Sequence, residues 1–441
     1  MTTDRQSNPL PGATPAAAAR FDEAVRSFNL YRGDPLARLD EAVAESPAFA
    51  SAHLFKAFIL GLATEPAATV EARRIADDVR ALPLDEREAS QLAALDALND
   101  GNWVAAANAL DFHNMRHPRD LVALQVGHLM DFYRGSAREL RDRIARALPH
   151  WSDGVPGLHT VLGMYSFGLE ETGDYARAEE VGRRAIDLEP LDSWAHHAVA
   201  HVMEMQGRAE DGIGWMIARE PHWSGDDNFF KVHNWWHRAL YHLDLGQAHE
   251  VLALYDGPIR GGRSRVALDL VDASALLWRL SLCGHDVGTR WTELADCWDD
   301  HADGRLYPFN DLHAVMAYLG AGRDAAVDRV VAALGESARG AADTARWARA
   351  VGLPLVTGFV AFWRGDYRQA VDALHPVRLI ANQFGGSHAQ RDVIDWTLTE
   401  GAIRANLPEV AAALAHERAA LKPHSPINRE FLRRAGRLAT V

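Results

Sequence analysis

One small signal recurs along this 441-residue chain and limits what it can become: a glycine followed by a polar residue, between segments whose apolar side chains repeat at helical spacing. Gly173-Asp174-Tyr175 is followed by Ala178, Gly182, Ala185 and Pro190, and Gly101-Asn102-Trp103 by Ala106 and Pro118. Looser copies begin at Gly33-Asp34, Gly135-Ser136, Gly207-Arg208, Gly246-Gln247, Gly322-Arg323 and Gly365-Asp366. A turn, small residues that let two helices approach and a later proline describe a helical hairpin of about 34 residues. Such hairpins must stack, because one alone cannot cover its own apolar face.

The spacing therefore predicts an all-α, tetratricopeptide-like solenoid, with about eight hairpins in a single domain over residues 21–430. Longer connections at Gly154 to Gly157, Pro221 to Asp227, Gly257 to Ser264 and around Gly385-Gly386 make the array irregular, and an irregular array can close around a central pocket. Residues 1–20 are polar and rich in Pro and Ala, with no basic segment leading into an apolar core, so they read as a disordered lead rather than a secretory signal; residues 431–441 read as a tail. The longest apolar stretch, Val351 to Trp363, is shorter than a membrane span and is interrupted by Gly352, Pro354 and Gly358, so a cytoplasmic protein without a membrane partner is expected.

Composition narrows the chemistry. With 48% hydrophobic and 24% charged residues the chain is an ordinary globular one, and a net charge of −14 without a dense basic stripe would repel a phosphate backbone, so nucleic acid is not an expected partner. Lys56, Lys231 and Lys422 are the only lysines, which leaves few candidates for Schiff-base chemistry. Cys283 and Cys297 are too far apart for a CxxC element and too few for a disulfide framework, and read as buried structural thiols. The sequence holds no Gly-x-Ser-x-Gly elbow, Walker loop, dinucleotide fingerprint or calcium loop.

Polar chemistry gathers in the middle of the chain. Eight of the 21 histidines fall between His196 and His249, where even spreading would place about two to three. His197, His201 and Glu204 share one face of a helix expected over Ser193 to Gln206, and His233 and His237 repeat the i, i+4 spacing in His233-Asn234-Trp235-Trp236-His237. Two such pairs could supply four imidazole nitrogens to a divalent metal, with His197, His201, His233 and His237 as candidate ligands. The competing reading makes these histidines hydrogen-bonded packing residues, and Trp235 and Trp236 either core filling or the wall of a ligand pocket.

Three further constellations lie downstream. Asn310 is expected to cap a helix, placing Asp311 and His313 in its first turn. Ser387 and Gln390 have capping-box spacing after Gly385-Gly386, and His388, Arg391 and Asp392 then share a face, as a base, an anion anchor and an orienting carboxylate would. Asp269 and Asp272 lie three apart with Arg279 two turns beyond, spaced for an acid/base pair or for structural pairing with the arginine.

The stretches His197-Ala198-Val199-Ala200-His201, His233-Asn234-Trp235-Trp236-His237, Asp269-Leu270-Val271-Asp272-Ala273, Phe309-Asn310-Asp311-Leu312-His313-Ala314 and Gly386-Ser387-His388-Ala389-Gln390-Arg391-Asp392 resemble the bacterial members of the tetratricopeptide repeat protein 38 family. The resemblance spans the chain from about the first hairpin to Pro423. It implies an all-helical repeat fold and a soluble protein; it implies no particular reaction, and it marks the polar residues of those strings as the ones to examine first.

Two functions fit. The first is an enzyme of hydrolase or lyase type acting on a small polar or aromatic molecule. Its reacting or ligand-holding imidazoles would be His233, His237, His313 and His388, oriented by Asp311 and Asp392, with His197, His201, Glu204, Trp235, Trp236, Asp269, Asp272 and Arg391 binding the ligand. The second is a scaffold that binds a protein or peptide, with structural histidines. A homo-oligomer through the terminal hairpins is compatible with either, although no residue argues for it.

Overall fold

A computed structural model describes residues 2–438. Among them helix follows helix from Pro15 to Leu438, and extended pairing is confined to two isolated bridges, Thr3 with Pro9 and Arg32 with Asn228. The expected all-α helical-repeat fold is present. By contact the described residues form two compact units, one of 2–199 with 220–231 and one of 200–219 with 232–438.

In the first unit the packed pairs are Pro15–Leu30 with Pro35–Glu45, Ala50–Leu62 with Pro66–Val79, Glu86–Asn99 with Trp103–Arg116, Leu121–Tyr133 with Ala137–Ala147, and Leu158–Glu171 with Tyr175–Leu188. In the second they are Ala267–Leu282 with Arg290–Trp298, Pro308–Gly320 with Asp324–Ser337, Leu353–Trp363 with Tyr367–Val377, and His388–Arg404 with Pro408–Leu421, on which Pro426–Leu438 packs.

The glycine turns work as expected from their chemistry. At Gly173 the backbone enters the left-handed region (φ +83°), Gly173 N–H donates to Glu170 O and Asp174 N–H to Leu169 O, so the last carbonyls of the helix are satisfied as it ends. The same two bonds recur at Gly101, Gly135, Gly207, Gly246, Gly322 and Gly365. Gly33 differs: there Tyr31 takes the left-handed position (φ 57°) and Asp34 caps the next helix. Turns at Thr64, Gly284 and Asn406 went unanticipated, two of them because a non-glycine residue adopts positive φ.

Small residues bring the helices together. A Cβ on Gly168 would lie 2.5 Å from the Leu140 carbonyl and the Arg141 nitrogen, and one on Gly182 would lie 2.7 Å from Ser166 Oγ. Ser166 Oγ–H itself donates to Ala178 O at 2.7 Å, so the hydroxyl at this narrow contact is satisfied.

Both chain ends correct the sequence expectation. The lead is structured: Leu10 and Gln6 are buried, Gln6 donates to Pro156 O, and a helix begins at Pro15 under a Thr14 cap. Proline at the first helical position and the Ala17, Phe21, Ala24, Val25, Phe28 stripe explain why. At the other end Phe431 and Ala435 are buried in a helix that runs to Leu438, so the expected tail is helical that far; Met1 and residues 439–441 lie outside the described residues.

Replacing Gly168 by alanine forces a methyl against backbone and is expected to cost about 2–3 kcal/mol. Gly214, inside the helix Ala209–Trp223 with nothing within 4 Å of a built Cβ, should instead gain roughly 0.5–1 kcal/mol on the same change. Urea denaturation of the two variants reads both values, and equal effects would remove the close-approach argument.

Candidate functional site

The second unit contains a buried polar centre that begins on the helix Lys231–Asp244. His233 and His237 stand one turn apart there, 5% and 0% exposed, with ring centroids 4.8 Å apart and planes at 89°. His201, fully buried on the helix Ser193–Met205, brings its ring to 4.5 Å from that of His237. A nitrogen of each of these three imidazoles lies within 4.8 Å of one from each of the others.

The orienting carboxylate comes from the helix Ala267–Leu282. His233 Nδ1–H donates to Asp272 Oδ2 at 2.7 Å, which fixes the tautomer and leaves Nε2 with its lone pair. Trp236 stacks on His233 (5.3 Å, 17°), and the Arg279 guanidinium lies 5.6 Å from the Trp236 ring centre. Burial, helped by the nearby charges of Lys422 and Arg391, holds His201 well below the usual imidazole range, which favours its neutral form. Burial pushes Asp269 up to about 6, against a hydrogen bond from Ser264 and with the Asp272 charge adding to the rise.

A buried ionic network lies in the same unit. Lys422 Nζ donates to Glu204 at 2.8 Å, and Arg418 forks onto Asp392 at 2.8 and 3.2 Å. Burial works against the Asp392 carboxylate, but Arg418, Lys422 and Arg279 outweigh it and hold the group well below its ordinary value. Arg279, 2% exposed, donates to Ala389 O at 2.7 Å and so ties its helix to the start of the helix His388–Arg404. A cavity of about 20 Å³, room for one water, is lined by Glu204, Arg279, Asp392, Arg418 and Lys422 among others.

Several expectations are met and several are corrected. The Ser387–Gln390 capping box forms, with Gly385 and Gly386 at positive φ before it and His388 half-buried at the first helical position. Asp392 accepts a forked pair of hydrogen bonds from Arg418. Arg391 folds back onto the Gly386 carbonyl, so its anchor role begins with its own loop.

Asn310 is not the cap of its helix, since Pro308 takes the first position and Tyr307 precedes it. Asp311 does not orient His313: it accepts from Gly304 N–H at 3.0 Å, and burial pushes it up to about 8. His313 Nδ1–H donates instead to Phe309 O at 2.8 Å, while its Nε2 has no hydrogen-bond partner among the described residues. Asp272 pairs with His233 and not with Arg279. Trp235 is half-buried under Arg238 (5.3 Å), and Trp236 packs on His233 and His237. His197, one turn before His201, belongs to the first unit, with its ring 5.6 Å from Phe167 and 5.1 Å from Phe230.

Lys422 and Arg418 were not anticipated. Their only signal in the sequence was the rarity of lysine, since Lys422 alone of the three lysines is buried.

Fold and site together define an all-α helical-repeat protein with a histidine-rich, ion-paired interior in its second unit. No protein-family model matches the chain. Among solved structures it is similar to a chain in the crystal structure of the APC/C hetero-tetramer Cut9-Hcn1, at 13% sequence identity over 95% of this chain and 76% of that one, with a TM-score of 0.44. A likeness that remote says nothing of what this chain binds. No described helix is long and apolar enough to cross a membrane.

His313 gives a pH prediction. Burial holds its imidazole at about 4, against 6.5 ordinarily, so protons favour the unfolded chain across that window. This contribution to stability is complete above about 6.5, falls as pH drops and levels off below about 4. His313→Gln should remove it, making the pH dependence shallower than in wild type by up to about 3 kcal/mol. Denaturant midpoints at pH 7 and 4.5 test this; parallel curves for the two proteins would sink it.

Proposed function

We propose that the second unit carries a small-molecule site and that the protein is an enzyme of hydrolase or lyase type, acting on a small polar or aromatic molecule by His/Asp acid-base chemistry. The observation that carries this reading is the buried Asp272–His233 hydrogen bond at 2.7 Å beside His237 and His201. A carboxylate behind Nδ1 holds the ring so that Nε2 can take a proton and stabilises the imidazolium that results. Asp269, poised near 6, is a second proton carrier on the same helix face. His388 and Arg391 lie on the half-buried side, where an incoming anionic group would first meet imidazole and guanidinium. Membership of the tetratricopeptide repeat protein 38 family belongs to this proposal and rests on the strings that carry these residues.

The architecture taken alone favours another reading, a repeat scaffold that binds a protein or peptide. One surface observation supports it: Phe112 and Met115 on the helix Trp103–Arg116 are 67% and 51% exposed, three residues apart on one face.

The two readings part in a thermal-shift screen of small aromatic and aliphatic carboxylates, amides and lactones, with turnover followed by proton NMR. The enzyme reading expects at least one compound to stabilise wild type, with the shift lost in His233→Asn and reduced in Arg391→Leu. A panel with no shift in wild type, or shifts unchanged in both variants, would remove the small-molecule reading in favour of the scaffold.

A further inference from the structure

We propose that His201, His233 and His237 together bind one divalent transition-metal ion of the zinc class. The claim rests on the same imidazoles as the function proposed above, but it concerns binding and does not require turnover.

Geometry is the first argument. Two nitrogens on a tetrahedral zinc, each about 2.0–2.1 Å from the metal, stand about 3.4 Å apart. The three imidazoles already offer nitrogens within 4.8 Å of one another, so ring rotations and shifts of about an ångström close the site without moving a helix. Two ligands come from one helix at i, i+4 and the third from a neighbouring helix, an arrangement in which rigid backbone fixes all three donors.

The surroundings supply the second argument. Asp272 accepts from His233 Nδ1–H, which directs Nε2 to the metal and raises its basicity, the usual outer partner of a metal-bound histidine. Asp272 and Asp269, 0% and 6% exposed and one turn apart, put two carboxylates beside a site that would otherwise place a bare dication in the interior. Trp236 closes one side by stacking on His233. Three neutral nitrogen donors select zinc, cobalt, nickel or copper over magnesium and calcium, which ask for oxygen.

Untagged full-length protein, stripped with a chelator and dialysed, is titrated with Co(II) and separately reloaded with Zn(II) for elemental analysis. Wild type should take one equivalent, show the intense visible bands of tetrahedral Co(II), and melt at a higher temperature with metal than without. His201→Ala and His237→Ala should lose the bands and the stoichiometric metal, and Asp272→Asn should weaken affinity by about 10–100-fold. The double change His113→Ala, His117→Ala removes a histidine pair in the first unit, with rings 4.9 Å apart, and should leave the cobalt bands and the metal stoichiometry unchanged. If an alanine variant fails to fold, protection of wild-type histidines from diethylpyrocarbonate by Zn(II), mapped by peptide, reads the same ligands. A wild type that takes no stoichiometric metal, binding that survives loss of His201 or His237, or protection that maps elsewhere overturns the proposal. A metal-free protein that still responds to a small molecule sinks the metal alone; a metal-loaded protein deaf to the whole panel sinks the small-molecule reading alone.

Discussion

A helical hairpin cannot bury its own apolar stripe, and everything in this chain follows from the need to bring the next helix close enough to do it. The left-handed glycines reverse the chain while satisfying the last carbonyls of each first helix. Gly168 then lets two backbones, and Gly182 a backbone and the Ser166 side chain, approach to distances at which even a methyl group would collide. The approach is what makes the interior dry, and a dry interior sets the terms for every polar group placed in it.

Those terms are severe in the second unit. An imidazole, a carboxylate or a guanidinium removed from water costs several kcal/mol unless it finds a partner. Asp392 finds Arg418, Glu204 finds Lys422, Arg279 finds the Ala389 carbonyl and the Trp236 face, and His233 finds Asp272. Replacing such pairs with apolar residues is often neutral or stabilising in proteins, whereas removing one partner alone leaves an uncompensated charge, so the members of the set depend on one another. Burial keeps His201 well below the usual imidazole range beside the His233–Asp272 pair, and the cations of Arg418, Lys422 and Arg279 keep the Asp392 carboxylate charged.

Local signals were legible in the sequence and long-range partnerships were not. The glycine turns, the i, i+4 histidine pair and the Ser387–Gln390 capping box all depend on residues within a few positions of one another, and all three form. Turns at Thr64 and Asn406 escaped because residues other than glycine rarely take positive φ. The lead escaped because its alanines read as low complexity, whereas beside a capped proline they form a helix with a buried face. Orienting carboxylates were sought next to their histidines, at Asp311 and Asp392. The one that serves His233 is Asp272, 39 positions away, and the chain's spacing carries no trace of that contact.

The Lys422–Glu204 pair joins residues 218 positions apart. A chain made from its N-terminus can collapse its early hairpins as they emerge, since their contacts are local. The polar interior of the second unit has no such option. Residues 200–219 are synthesised long before Arg418 and Lys422, so Glu204 and later Asp392 wait without these partners until residues 418 and 422 have left the ribosome. The ionic network is thus completed late, and a nascent chain released before residue 418 would hold the histidines and Asp272 but leave Glu204 and Asp392 without Lys422 and Arg418.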